Sequence, residues 1–127
     1  MLTVTCAIIF QDGLVLAVQR AKNMKMPLKW EFPGGKIEDG ESEEACLIRE
    51  IKEELHLGIK IEEKLPEVIH HYADFTIRLI PFLATILSGT LHLEEHQTYR
   101  WLKKDELLGL DWTEADVPVV RDFLENF

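Results

Sequence analysis

The sequence has only two cysteines, Cys6 and Cys46, and no Cys-x-x-Cys pair. This inventory argues against a disulfide framework and is typical of a reducing compartment, so we expect both to be small buried residues. No apolar run approaches the roughly 20 residues of a membrane-spanning helix. No basic residues precede the short apolar stretch near the N-terminus, so we expect no signal peptide and a cytoplasmic location.

Basic residues are also scarce, with 14 Lys and Arg against 23 Asp and Glu and a net charge of −9. Such a balance argues against a nucleic-acid polymer or an anionic membrane as a partner. The 127 residues contain no internal repeat and no low-complexity linker. We therefore expect a single domain over residues 1–127 with its own core, present as a monomer or a homodimer.

Runs rich in β-branched residues and bounded by turn residues predict strands along most of the chain. The predicted strands are Leu2–Phe10, Leu14–Gln19, Ile59–Leu65, Val68–Tyr72, Thr76–Leu87, Thr90–Leu93 and Thr98–Leu102. Pro81 suits an edge or a bulge better than a central strand. Residues 34–40 are predicted as a turn and a loop, because the glycine pair at their start permits a sharp reversal.

Two helices are predicted between and after these strands. The first runs from Glu43 to about His56, with Ser42 as its N-cap and Gly58 as its stop. The last begins at Thr113 or Asp116 and continues to the end of the chain. Strands, one central helix, more strands and a terminal helix together indicate an α/β sandwich built on a mixed sheet.

Acidic residues crowd the segment from Gly35 to Leu57. Three of them, Glu50, Glu53 and Glu54, fall on one face of the predicted helix, where like charges repel by roughly a few tenths of a kcal/mol per pair. A purely structural helix gains nothing from this arrangement. Mg²⁺, in contrast, takes oxygen ligands and often shares them with substrate phosphates. The pattern therefore predicts a metal–phosphate active site on this helix.

The same segment reads GKIEDGESEEACLIREIKEELHL and resembles the Nudix box, GX5EX7REUXEEXGU, in which U is a bulky aliphatic residue. Every fixed position agrees except His56, where the family usually has glycine. The flanking segments QRAKNMKMPLKWEFPGGK, EEHQTYRW and ADVPVV are similar to the MutT-like branch of that family. The resemblance implies the Nudix α/β/α sandwich, an α/β fold with a mixed, partly antiparallel sheet between helices.

The resemblance also implies a metal-binding and catalytic set. The implied metal ligands are the carbonyl of Gly34 and the carboxylates of Glu50, Glu53, Glu54 and Glu95. Mg²⁺ is the implied cofactor, with Mn²⁺ as a substitute. Either Glu53 or Glu95 would act as the general base, and Arg49 would orient the carboxylates of the box.

Four further residues take supporting roles by the same resemblance. Gly35 and Glu41 would shape the loop that leads into the helix. Arg20 and Lys36 would contact the phosphates of the substrate. The reaction implied is hydrolysis of a nucleoside triphosphate to the monophosphate and pyrophosphate by attack on the β-phosphorus. A nucleotide-binding module without catalysis is the alternative of another class, but such a module would be expected to lose box carboxylates, and all are present here.

The base is expected to lie against Glu31, Asp116 and an aromatic wall formed by Tyr72 or Phe82. The position of Asp116 is asparagine in 8-oxoguanine-specific members of the family. Ionised aspartate only accepts hydrogen bonds, which suits the exocyclic amine of cytosine. We therefore favour cytosine-type or modified pyrimidine nucleotides and a role in nucleotide-pool cleaning. Hydrolysis of 8-oxo-dGTP in mutation avoidance remains the alternative, and Asp116 could instead serve as the N-cap of the last helix.

Overall fold

The computed structural model describes residues 1–127, and the predicted order of elements is confirmed in outline. The strands are β1 (Leu2–Gln11), β2 (Leu14–Gln19), β3 (Trp30–Glu31), β4 (Gly34–Lys36), β5 (Leu57–Lys64), β6 (Val68–His71), β7 (Thr76–Gly89) and β8 (Thr98–Leu102). The helices are α1 (Glu43–Leu55) and α2 (Asp116–Asn126), with a 3₁₀ helix over Lys104–Gly109. No helix is both long enough and apolar enough to cross a membrane.

The strands form one mixed sheet with the central order β3-β2-β1-β7-β5. Strand β4 pairs with β1, β6 pairs with β7, and β8 pairs with β2. Strands β1 and β7 run parallel from the Leu2–Ile77 pair to the Ile9–Ala84 pair, whereas all other neighbours are antiparallel. The prediction of a mixed, partly antiparallel sheet is thus confirmed.

The alternation of side chains along β1 divides the core into two layers. Ala7 and Ile9 pack in the layer that contains α1, whereas Cys6 and Ile8 pack in the layer that contains α2. The α1 layer also contains Leu16, Val18, Leu47, Ile51, Leu55, Leu57, Ile59, Ile80, Phe82 and Ala84. Burying one such large apolar side chain contributes about 1.5–3 kcal/mol. The α/β/α sandwich follows from these two layers, and both cysteines are buried and free, as expected.

Helix α1 begins as predicted and ends at Leu55, next to the predicted end at about His56. The hydroxyl of Ser42 accepts a hydrogen bond from the backbone N–H of Ala45 at 3.1 Å, which caps the first turn. At the other end His56 adopts the left-handed conformation with φ 59° and donates its N–H to the carbonyl of Lys52 at 3.0 Å. The predicted stop at Gly58 is wrong, because β5 already starts at Leu57 and the chain must turn before it.

Pro81 lies in the middle of the sheet, at neither an edge nor the register shift of β5 between Ile61 and Glu63, so the expectation of an edge or a bulge is wrong. Strand β7 has β1 on one side and β5 followed by β6 on the other. The carbonyl of Pro81 accepts a hydrogen bond from the N–H of Leu65 at 2.9 Å, just beyond the last residue of β5. The backbone N and the carbonyl of one strand residue point to the same side of the strand. The nitrogen of Pro81 therefore points toward the gap between β5 and β6. No strand residue there needs a hydrogen bond from it, so the proline costs no ladder bond.

Two further segments differ from prediction, and both border the site. Residues 34–36 were expected in a loop but form β4, which pairs with β1. The predicted strand Thr90–Leu93 is absent. Instead, the N–H of His92 donates to the carbonyl of Leu55 at 3.0 Å, and the N–H of Glu94 donates to the carbonyl of Glu54 at 3.2 Å. Residues 90–97, which we call the 90–97 segment, therefore satisfy carbonyls at the end of α1 instead of extending the sheet.

Candidate active site

A cavity of about 300 Å³ opens between β1, β4, the loop before β3 and the start of α2. Many of the residues singled out from the sequence contribute to its lining. They are Arg20, Glu31, Gly34, Gly35, Lys36, Glu54, Tyr72 and Asp116. The fold thus brings residues from both ends of the sequence to one cleft, with Gly35 and Glu54 of the Nudix box on one side and the expected base-binding residues on the other, whereas Arg49, Glu50 and Glu53 lie outside its lining.

Arg49 contacts three acids of the Nudix box, one in the loop and two on α1. Its Nε and Nη2 donate to the two carboxylate oxygens of Glu41 at 2.6 and 3.0 Å. Its Nη1 lies 2.9 Å from Glu50 Oε1 and 3.2 Å from Glu53 Oε2, and its Nη2 also reaches the carbonyl of Lys36 at 3.2 Å. One guanidinium therefore holds the loop acid in a two-point contact and sets the directions of two acids on α1.

The acid that closes the loop has a perturbed pKa. Hydrogen bonds from Arg49, followed by one from the backbone N–H of Glu38, lower the pKa of Glu41 to about 2. A carboxylate with a depressed pKa stabilises the fold fully above its ordinary pKa of 4.5, and that contribution is lost progressively as the pH falls from there through about 2. The loop-closing contact thus persists at any pH at which the protein would be assayed.

Glu50 and Glu54 are the less exposed acids of the α1 face. Burial is the main cause that raises the pKa of Glu50, and it raises the pKa of Glu54 to about 7. The side chains of these residues are 14% and 21% exposed. Glu53 differs, since its side chain is 61% exposed. Two acids are therefore held where ionisation is unfavourable without a compensating cation.

His96 lies between Glu54 of the box and Glu31 on the other side of the cavity, and it is not among the site residues predicted from the sequence. Its side chain is 3% exposed, and its Nε2 lies 2.9 Å from Glu31 Oε2. Its Nδ1 is buried without a hydrogen-bond partner and lies 4.0 Å from Glu54 Oε2. A histidine in a polar segment next to Glu95 would be predicted to be exposed, whereas in the fold His96 is buried.

The residues fit a hard divalent cation. Glu50, Glu53 and Glu54 offer carboxylate oxygens from one helical face, and Gly34 lies on the adjoining strand. Oxygen-only donor sets of this kind suit Mg²⁺ or Mn²⁺. The raised pKa of half-buried Glu54 is a further reason to expect a cation here, because a cation would favour its ionised form. Glu95 is exposed in the 90–97 segment, and its charge contributes to the raised pKa of Glu54.

The glycine pair allows close approach to these acids. A Cβ at Gly35 would overlap the carboxylate of Glu50, and one at Gly34 would overlap the backbone carbonyl of Thr5. Glycine is therefore required at both positions for different reasons: Gly34 lets β4 pair with β1, and Gly35 leaves room for an acid of the site.

We expect Gly35→Ala to keep the fold but to weaken Mg²⁺ binding by about tenfold. The added methyl group would displace the flexible end of Glu50 rather than the backbone. Circular dichroism would report the fold, and the Mg²⁺ dependence of activity would report the affinity. Gly109→Ala is the matched control, because a Cβ there meets no atom within 4 Å. An unchanged Mg²⁺ requirement in Gly35→Ala would contradict a role for Glu50 in metal binding.

The opposite side of the cavity holds a second polar network. Arg20 Nη1 lies 3.0 and 3.1 Å from the two carboxylate oxygens of Glu31. Glu31 is thus held by Arg20 and by His96 together. The family resemblance implied that Arg20 contacts the phosphates, but the structure pairs this guanidinium with Glu31, the acid expected to face the base. Lys36 lines the cavity without an ion-pair partner.

Asp116 is buried at the start of α2 and does not cap that helix. Its Oδ2 accepts a hydrogen bond from the N–H of Phe32 at 2.8 Å, and its Oδ1 accepts one from the hydroxyl of Thr113 at 2.8 Å. The N-cap position is occupied by Ala115. Burial, followed by the charge of Glu31, raises the pKa of Asp116 to about 7. The expectation of Asp116 as an N-cap is therefore wrong.

The aromatic wall of the cavity comes from Tyr72 and not from Phe82. The hydroxyl of Tyr72 accepts a hydrogen bond from the N–H of Ala115 at 3.1 Å, and its ring stacks on Phe75 with centroids 4.9 Å apart. Phe82 is buried in the α1 layer, on the other face of the sheet. The alternation of β7 decides this outcome, and periodicity alone did not reveal which face of β7 meets the cavity.

Comparisons with known proteins agree with this geometry. The NUDIX domain family model matches residues 1–123. A CTP pyrophosphohydrolase of Escherichia coli K12 is 33% identical over 124 residues, which cover 98% of this chain and 92% of that protein. An 8-oxo-dGTP diphosphatase of the same organism is 30% identical over 110 residues, which cover 87% of this chain and 85% of that protein. A MutT NUDIX hydrolase structure from Burkholderia pseudomallei superposes with a TM-score of 0.86 at 27% identity, covering 95% of this chain and 96% of that one.

Proposed function

The chain belongs to the NUDIX domain family, and we propose on that premise that it is a Mg²⁺-dependent nucleoside triphosphate pyrophosphohydrolase with a preference for cytosine-type nucleotides. As a Nudix hydrolase related to diphosphatases and pyrophosphohydrolases, it acts on phosphoric anhydride bonds. The proposed reaction releases a nucleoside monophosphate and pyrophosphate. The observation that carries the proposal is the set of acids organised by Arg49, with Glu50 packed against Gly35, which lines a cavity whose far side is also polar.

The phosphate side of the cavity is assigned to the box. Glu50, Glu53, Glu54 and the carbonyl of Gly34 would hold the divalent ion, with Glu95 approaching from the 90–97 segment. Such an ion, when bound, neutralises phosphate oxygens and lowers the pKa of a coordinated water. Lys36 adds a positive charge at the cavity wall, where a triphosphate would otherwise meet mostly carboxylates.

The proton of the attacking water is assigned to Glu53, with Glu95 as the alternative acceptor. Glu53 is 61% exposed, so water reaches its carboxylate, and Arg49 fixes its direction through the 3.2 Å contact. A carboxylate that is both oriented and hydrated suits a general base. Glu50 and Glu54 are less suited, because both are largely covered by protein.

The base side of the cavity supports a preference for a base that offers an exocyclic amine. Glu31 and Asp116 both present carboxylate oxygens there, and Tyr72 provides an aromatic surface. Carboxylates are natural acceptors for the N4 amine of cytosine. The relative named CTP pyrophosphohydrolase, which aligns over nearly the whole chain, supports the same choice.

Hydrolysis of 8-oxo-dGTP is the second candidate, and one observation favours it. The pKa of Asp116 is raised to about 7 by burial, so near neutral pH a substantial fraction of this carboxyl carries a proton. A protonated carboxyl can donate as well as accept, as asparagine does. Relatives named 8-oxo-dGTP diphosphatase support this candidate.

A panel of kcat/KM values over CTP, dCTP, 5-methyl-dCTP, 8-oxo-dGTP and dGTP in the presence of Mg²⁺ tests the proposal. We expect the cytosine nucleotides to rank first and pyrophosphate to be the co-product. A preference of 100-fold or more for 8-oxo-dGTP, about 2.7 kcal/mol of transition-state binding, would replace the cytosine assignment. Binding of a nucleoside triphosphate without release of pyrophosphate from any of them would instead favour a nucleotide-binding module.

A further inference from the structure

Three side chains outside the cavity converge at the end of α1. His56 Nε2 lies 2.5 Å from Glu94 Oε1, and His92 Nε2 lies 3.9 Å from the same oxygen. One ligand atom from each of the three residues lies within 4.8 Å of the others. The two imidazole rings meet edge to face, with centroids 5.1 Å apart. None of these residues lines the cavity of the candidate active site.

The backbone presents these side chains together. His56 occupies the left-handed position that ends α1, with φ 59°, a conformation that glycine adopts at lower cost. The 90–97 segment brings His92 and Glu94 alongside by donating their N–H groups to carbonyls of Leu55 and Glu54. The helix end and the segment are therefore already aligned before any ligand arrives.

We propose that His56, His92 and Glu94 form a binding site for a transition-metal dication such as Zn²⁺, separate from the carboxylate site for Mg²⁺. Two imidazoles and one carboxylate are a donor set that Zn²⁺ binds, with a fourth position left for water. A tetrahedral ion with bonds of about 2.1 Å holds its ligand atoms roughly 3.4 Å apart. The observed spacings of 2.5 and 3.9 Å lie on either side of that value, and exposed side chains can rotate by the difference.

The two metal sites differ in ligand chemistry. The carboxylate face of α1 offers only oxygen, which suits a hard cation, whereas the cluster of His56, His92 and Glu94 offers two nitrogens. An ion in this cluster would join the end of α1, which carries Glu53 and Glu54, to the segment that carries the buried His96. Binding of Zn²⁺ is thus expected to stabilise the alignment of two elements that flank the active site.

Titration of tag-free protein with Zn²⁺ in excess Mg²⁺ tests the proposal, because Mg²⁺ occupies the oxygen site. We expect one Zn²⁺ per chain by calorimetry, a rise in Tm of at least about 3 °C, and visible absorption when Co²⁺ is used instead. His92→Gln and His56→Gly should each weaken Zn²⁺ binding by at least about tenfold. His71→Gln is the matched control, since His71 is an exposed histidine that contacts Thr76 instead.

His56→Gly separates metal binding from folding. Glycine tolerates the left-handed conformation, so this variant should keep or exceed the Tm of the wild type without zinc while losing the rise in Tm that zinc causes. The proposal is overturned if no saturable Zn²⁺ binding occurs in excess Mg²⁺. It is equally overturned if His56→Gly and His92→Gln bind Zn²⁺ as the wild type does, or if His71→Gln loses binding to the same extent.

Discussion

Glu53→Gln is expected to lower kcat for nucleoside triphosphate hydrolysis by about 1000-fold, within the range of 10²–10⁴ that a positioned general base contributes. Glutamine keeps the shape of the side chain but cannot accept the proton of the attacking water. The change also removes one oxygen ligand, so the requirement for Mg²⁺ should rise. The side chain is 61% exposed, and the fold should be retained. Pyrophosphate release at saturating substrate and Mg²⁺ gives the measurement.

Glu44→Gln is the control for this change, because Glu44 is an exposed acid in the first turn of the same helix. It should leave kcat within about twofold, since its charge serves only the helix terminus at roughly a few tenths of a kcal/mol. Glu95→Gln decides between the two candidate bases. A 1000-fold loss in Glu95→Gln together with less than a tenfold loss in Glu53→Gln would transfer the role of base to Glu95.

The box was readable from the sequence because its contacts are local. Glu41, Arg49, Glu50, Glu53 and Glu54 lie within one loop and one helix, and helical periodicity alone places Glu50, Glu53 and Glu54 on one face. The N-cap at Ser42 is equally local, and it was predicted correctly. These residues depend on the rest of the chain only through the packing of α1 on the sheet, which Leu47, Ile51 and Leu55 provide.

The remaining features depend on contacts between distant parts of the chain. His96 is buried because the 90–97 segment bonds to the end of α1, which no local pattern predicts. Phe82 belongs to the opposite core layer, because the register between β1 and β7 decides which face of β7 meets the cavity. Pro81 is tolerated in a central strand because β5 ends opposite to it. In each case a pairing partner far along the chain overrides a sound local expectation.

For Asp116, the protonation expected from the sequence differs from the protonation that its surroundings in the structure favour. Aspartate is expected to be an ionised acceptor, but Asp116 is only 5% exposed, and its carboxylate contacts Phe32 and Thr113. Its pKa of about 7 means that, between the ordinary value of 3.8 and about 7, the folded chain holds a proton that the unfolded chain has lost. Stability from this group is therefore fully present below about 3.8 and declines as the pH rises to about 7.

Asp116→Asn is expected to raise the free energy of unfolding at pH 8 by about 2 kcal/mol or more, with an upper limit of about 4 kcal/mol from a shift of roughly three pKa units. Asparagine is neutral and isosteric. Its oxygen can accept from the N–H of Phe32, and its amide can donate to the hydroxyl of Thr113, so both contacts of the carboxylate are kept. Urea unfolding of variant and wild type at pH 8 and at pH 4 gives the measurement, and the gain should nearly vanish at pH 4.

The same variant tests the base assignment. If Asp116 faces the base, Asp116→Asn should lower the ratio of kcat/KM for dCTP to that for 8-oxo-dGTP by about tenfold, because the amide adds a donor where an acceptor stood. The requirement for Mg²⁺ should stay as in the wild type.

Asp111→Asn is the control, since this acid is 73% exposed and pairs with Lys29 at the surface. It should show neither the gain at pH 8 nor the change in ratio. A stable Asp116→Asn variant with an unchanged ratio would place the base elsewhere, and a large loss of Mg²⁺ affinity would mean that Asp116 acts on the metal site instead.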